Sequence, residues 1–163
     1  VMRGVVAAEA ENRISLYTGN DDHIFLDLLT PYALKRGEEE VVLRFKGGLL
    51  GHWSVWVKPA VNYLALAHGA IAAGKIDMNL LQLDSQITDA NGALFDVAND
   101  FAGCIAGCHE VLRRQGLMRG TWCLNPDEKL SPGQSAELDR VIAHYPHLCD
   151  DDFVIENLEL WLG

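Results

Sequence analysis

Basic residues are scarce in this chain: 13 Lys and Arg stand against 23 Asp and Glu, a formal net charge of -10. Such a balance repels a phosphate backbone, and no short window is rich in Lys and Arg, so nucleic-acid binding is set aside. Long apolar runs are missing as well. Lys58, Asn62 and His68 interrupt the most apolar region before the roughly 18 residues that a membrane span requires. No signal-peptide pattern is recognisable at the start. Cysteine is limited to Cys104, Cys108, Cys123 and Cys149; their irregular spacing favours free thiols in a reducing, cytoplasmic setting over a disulfide framework. No low-complexity stretch occurs. Motifs of the Gly-x-x-x-x-Gly-Lys, Gly-x-Ser-x-Gly and His-Glu-x-x-His kinds are absent too.

What is present is enough apolar side chain, 49% of 163 residues, to bury the core of one domain. Residues 1–11 have helical composition, and Ile14-Ser15-Leu16-Tyr17 alternates as a short strand does. Asp21 or Asp22 is placed to cap a helix whose Ile24, Leu28 and Tyr32 share a face, with Pro31 kinking or ending it. Gly37 and the acidic Glu38-Glu39-Glu40 predict a solvated turn. Val41 to Phe45 is then a second strand, closed by Gly47-Gly48.

The remainder reads as helix. Trp56, Ala60, Leu64, Ala67 and Ile71 fall at helical spacing up to Gly74. From Leu80 through Leu83, Ile87, Ala90, Leu94 and Val97 to Phe101, steps of three and four predict one helix of roughly 30 Å. Asp84, Thr88 and Asn91 flank its seam, which packs within the chain or serves assembly. Another helix runs from Gly103 to Gln115. Ser131-Pro132-Gly133-Gln134 has the form of a capping box opening a helix to about His144. Asp150-Asp151-Asp152 precedes a last helix, Phe153 to Leu162, where acidic charge complements the helix dipole.

Strand alternates with helix in the first third, as in parallel βα units, and helices follow. Ligands in such folds collect where strands end and helices begin. Two segments qualify: Thr18-Gly19-Asn20-Asp21-Asp22 and Lys46-Gly47-Gly48-Leu49-Leu50-Gly51-His52. Taken alone, each is better explained as a plain turn, capped after the first strand and glycine-rich after the second. Lys46, at a strand end, is better explained by a side chain reaching solvent than by a nucleophile. Cys104, Cys108 and His109 lack the companion ligands of a structural zinc site, and burial of the thiols accounts for them better. His144, His147 and Cys149, which flank Pro146, are read as exposed loop residues.

Taken together, tyrosine-x-glycine-x-acid-acid before a helix, a strand ending in Gly47-Gly48 before a long helix, and the "LSPGQSAEL" helix start resemble the dihydrodipicolinate synthase and N-acetylneuraminate lyase family. The resemblance spans about Ile14 to Tyr145. It implies strands seven and eight of a (β/α)8 barrel over residues 1–75 and a C-terminal helical block over 76–163. It further implies a lysine Schiff-base aldolase or lyase acting on a 2-keto acid such as pyruvate or a sugar-acid derivative, without cofactor and as a homo-oligomer. No catalytic lysine is assigned within this chain, since a whole barrel takes about 250 residues and the remaining N-terminal half would supply that residue. The family's substrate loops fall on Gly19, Asn20, Asp21 and Asp22 and on Gly47, Gly48, Gly51 and His52; His52 and Trp53 depart from the small hydroxyl residue usual there. The alternative is a non-catalytic, mainly helical binding or assembly module.

Overall fold

The computed structural model describes all residues, Val1 to Gly163. Seven helices and four short strands follow in the order α1 (Met2–Ala7), β1 (Leu16–Thr18), α2 (Ile24–Leu29), β2 (Tyr32–Arg36), β3 (Glu39–Leu43), β4 (Phe45–Gly48), α3 (Val57–Ala73), α4 (Met78–Leu94), α5 (Cys104–Arg114), α6 (Gln134–His144) and α7 (Asp151–Leu162). The strands make two separate pairs. β1 and β4 run parallel, with Thr18 opposite Gly48, while β2 and β3 form an antiparallel hairpin.

This topology corrects the barrel expectation. A (β/α)8 barrel requires a continuous parallel sheet, whereas these strands form a two-stranded parallel ribbon and, between its two strands in sequence, a hairpin. The cause lies at Thr30-Pro31. A residue before proline is pushed out of the helical region, and Thr30 is extended, with φ -83° and ψ 128°. The helix expected to reach Tyr32 therefore ends at Leu29, and the chain continues as β2. Gly37, at φ +61°, permits the two-residue turn between Arg36 and Glu39, so Glu39 and Glu40 lie in a strand and not in a solvated turn.

The main core draws on both halves of the chain. Ile24, Phe25, Leu28 and Leu29 of α2 meet Trp56, Ala67, Ile87, Leu94, Val111, Leu138 and Val141 in one buried cluster. A smaller cluster seats Val5, Val6 and Ala10 against Val41 and Leu43 of the hairpin. On the rim between α4 and α6, Arg140 grips Asp89 through both terminal nitrogens at 2.8 Å, and Tyr145 donates to the same carboxylate.

The seam helix is shorter than its periodicity predicts. α4 stops at Leu94 because Asp96 turns left-handed, at φ 62°. Its carboxylate accepts hydrogen bonds from the Gly103 N–H, the Ser131 hydroxyl and the Asn99 amide. That bond takes the Ser131 hydroxyl away from helix capping, so only half of the expected box survives: the Ser131 N–H donates to Gln134 Oε1 at 3.2 Å. α6 accordingly starts at Gln134.

Candidate functional site

The parallel pairing of β1 and β4 sets the two glycine-containing loops side by side, and the Leu49 N–H donates to the Thr18 carbonyl at 3.0 Å. Thr18 closes its own turn, its hydroxyl accepting from the Asn20 N–H and donating to Asp27 Oδ2 at 2.7 Å. Tyr32 donates to the other oxygen of Asp27 at 2.6 Å. Burial, with the Asp27 carboxylate beside it, pushes the Tyr32 phenol up to about 12. Asn20 stabilises the loop locally by accepting the Asp22 N–H, an Asx-type turn.

Three polar side chains of α4 enter from the helical side. Asp84 accepts the Leu26 N–H at 2.8 Å and contacts His23 Nδ1 at 3.0 Å, so it caps α2 in the role expected of Asp21 or Asp22. Thr88 donates to the Asp22 carbonyl. Asn91 joins the two loops: its Nδ2 donates to the Asp21 carbonyl at 2.8 Å and its Oδ1 accepts the His52 N–H at 2.7 Å. Gly51, at φ +60°, lies so close beneath Asn91 that an added Cβ would sit 2.6 Å from the carboxamide.

The residues expected to hold substrate are thereby brought together, but their groups are engaged with the protein itself. The Asp21 and Asp22 carbonyls take α4 donors, and Gly48 sits against the Ile24 side chain. Gly19 faces Leu50, and Gly47 pairs with Tyr17 in the ribbon with nothing within 4 Å of where a Cβ would stand. His52 is fully buried, stacked edge-on to Trp53 with ring centroids 5.9 Å apart, and neither ring nitrogen has a hydrogen-bond partner. Burial holds its pKa down at about 4, so the ring is neutral at physiological pH. The Lys46 side chain stays exposed at the surface.

The lyase reading is corrected on the same ground. A Schiff-base aldolase of that family works at the mouth of a barrel, and here α4 side chains stand at the carboxyl ends of an isolated strand pair. Asp84, Thr88 and Asn91 were legible as polar positions beside an apolar seam. Their reach to loops some sixty to seventy residues away in sequence was not.

The cysteine and histidine positions do not gather into a metal centre, since no group of three or more His, Cys, Asp and Glu side chains is placed to hold one ion. All four cysteines are free. Burial raises Cys108 to about 12, and burial with the nearby Asp151 and Asp150 raises Cys149 to about 12, which keeps both as thiols.

A different surface stands out on α3. From Pro59 to Gly74 the chain has no Asp, Glu, Lys or Arg, and a helix apolar all round is ordinarily covered on every side. Only one side is covered here, by Pro59, Ala60 and Ala67 packed inward. Val61 is 59% exposed and Leu66 51% exposed, with Ala65, Ala72 and Ala73 open beside them. Tyr17, Leu49 and Leu50 of the strand pair and its loops are exposed as well. No helix is long and apolar enough to cross a membrane.

In comparisons with known proteins, no family model, curated protein or solved structure matches the chain.

Proposed function

We propose that this chain is a non-catalytic, mainly helical assembly module that associates with copies of itself across the outer face of α3. The observation that carries the reading is the mismatch on that helix: charge-free from Pro59 to Gly74, yet with Val61 and Leu66 more than half exposed. Apolar side chains left open on an uncharged helix face favour an interaction site. A chain of net charge -10 also has reason to self-associate where charge is lowest, since acidic faces would repel one another. The short β1–β4 ribbon adds to the case, because parallel strands are ordinarily covered on both faces and Tyr17 is 64% exposed. Four unpaired cysteines suit a reducing, cytoplasmic setting.

Sedimentation equilibrium over a concentration series tests the reading. Self-association predicts a mass above the 18.0 kDa of one chain, rising with concentration, and a return to one chain for Val61→Glu with Leu66→Glu. A wild-type chain that stays at the single-chain mass throughout overturns it.

A further inference from the structure

At the end of the α3 face next to β4, a groove of about 240 Å³ is lined by the apolar Phe45, Ile71 and Ala72 and by Arg44, Lys46 and His68, with Arg44 donating through one terminal nitrogen to the Leu29 carbonyl. Lys46 and His68 are exposed, and the His68 ring is set by its Nε2 contact with the Lys46 carbonyl at 3.0 Å. One wall of the groove is α3 itself, so it continues the surface on which self-association is proposed.

At the other end of the chain, α7 has the opposite character. It contains Asp151, Asp152, Glu156 and Glu159 and no basic residue. Ile155 is 66% exposed, Leu160 80% and Leu162 59%, so an uncovered apolar strip alternates with the two glutamates. Spacing of three and four residues puts Ile155, Glu159 and Leu162 on one side, with Glu156 and Leu160 beside them. This acidic helix of twelve residues, about 18 Å long at the usual rise, packs on its own chain through Val154 and Phe153 and leaves that outer side uncovered. Its charge suits Arg44 and Lys46, and its apolar residues suit Phe45, Ile71 and Ala72.

We infer that α7 of one copy docks in the Arg44, Lys46 and His68 groove of the next, joining copies of this chain head to tail. The inference rests on the self-assembly reading and specifies its contact. Two different surfaces meet, so the contact is heterologous, and each copy keeps a free groove at one end and a free α7 at the other until a ring closes. The two charged surfaces also steer encounter, so assembly weakens as salt is added.

Mixing of two surface variants tests this. Lys46→Glu with His68→Glu spoils the groove and leaves α7 intact; Ile155→Glu with Leu160→Glu spoils α7 and leaves the groove intact, and the two spoiled surfaces, both acidic, repel each other. Each alone is expected at the single-chain mass, and an equal mixture at twice that mass and no more, because only one good contact remains per pair. Circular dichroism and thermal melts establish that each variant is folded. Independently of any variant, carbodiimide treatment of mixed light and heavy-isotope wild-type chains is expected to link Lys46 of one copy to Glu156 or Glu159 of another. Wild-type assembly that both charge variants retain, or a mixture that stays at one chain, overturns the inference while leaving self-assembly standing. A wild-type chain that never exceeds one chain mass overturns both.

Discussion

The Asn91 carboxamide accepts the backbone N–H of His52 at 2.7 Å, packed so closely on Gly51 that a side chain there would collide with it. Its other end holds the Asp21 carbonyl, so one side chain of a helix ties the two strand-end loops together. Asn91→Ala leaves the His52 N–H buried and unpaired. An orphaned buried group costs about 1–3 kcal/mol, and urea unfolding is expected to show a loss of that size. Asn91→Asp keeps the acceptor for His52 but buries a charge and sets a carboxylate oxygen against the Asp21 carbonyl, so it is expected to cost at least as much as Asn91→Ala. Equal stability of Asn91→Ala and wild type would remove Asn91 from this role.

His52 gives the chain a pH dependence. Its folded pKa, about 4, lies below the ordinary 6.5 because burial penalises the charged ring. Between those values the unfolded chain binds the proton and the folded one does not, so stability is full above about 6.5 and falls as pH drops toward 4. A tenfold loss of proton affinity is worth about 1.4 kcal/mol, which puts the whole effect on the order of 3 kcal/mol. His52→Gln is expected to flatten unfolding free energy across that window. An NMR titration placing the His52 ring near its ordinary value would contradict this origin.

Glu110 acts at lower pH. The carboxylate is 5% exposed and accepts from Arg113 at 2.7 and 2.9 Å and from Arg114 at 2.8 Å. The Arg113 hydrogen bonds, helped by Arg114, hold its pKa down at about 2. Its folded value lies below the ordinary 4.5, so the stability it contributes is present above about 4.5 and lost as pH falls toward 2. Glu110→Gln is expected to cost about 1–3 kcal/mol at neutral pH, in line with charge-assisted hydrogen bonds, and almost nothing near pH 2. A loss unchanged by acid would point to packing instead.

Two helical glycines are expected to respond in opposite ways. A Cβ on Gly107 would sit 2.1 Å from the Leu94 carbonyl oxygen, where α5 crosses the end of α4. Gly107→Ala forces the two helices apart and is expected to destabilise by about 1–3 kcal/mol or more. Gly69, on the open side of α3, has nothing within 4 Å of that position. Gly69→Ala is expected to stabilise by about 0.5–1 kcal/mol through helix propensity. Thermal melts of the two variants shifting in the same direction would contradict the packing described.

Local signals in the sequence located most helices. Gly74, at φ 63°, ends α3 where expected, and the acidic start of the last helix is at Asp151. These features depend on neighbours within a turn or two, where backbone preference and capping act. The second strand was less legible: the one expected over Val41 to Phe45 divides into β3 and β4, and Gly47-Gly48 pairs within β4 instead of closing a strand.

Sheet membership was not legible, because a strand records in its own residues that it is extended and half-buried but not which strand lies beside it. Two short parallel segments fit a barrel as readily as an isolated ribbon, and Thr30-Pro31 diverts the chain into a hairpin between them. Likewise the Asp96 turn that ends α4 is held in part from afar, by Ser131, 35 residues on, which donates to its carboxylate. Composition, charge and helical periodicity are properties the chain has before it folds. The pairing of strands, the closure of the loops by Asn91 and the bare side of α3 arise only when distant residues meet, and tertiary structure alone decided them.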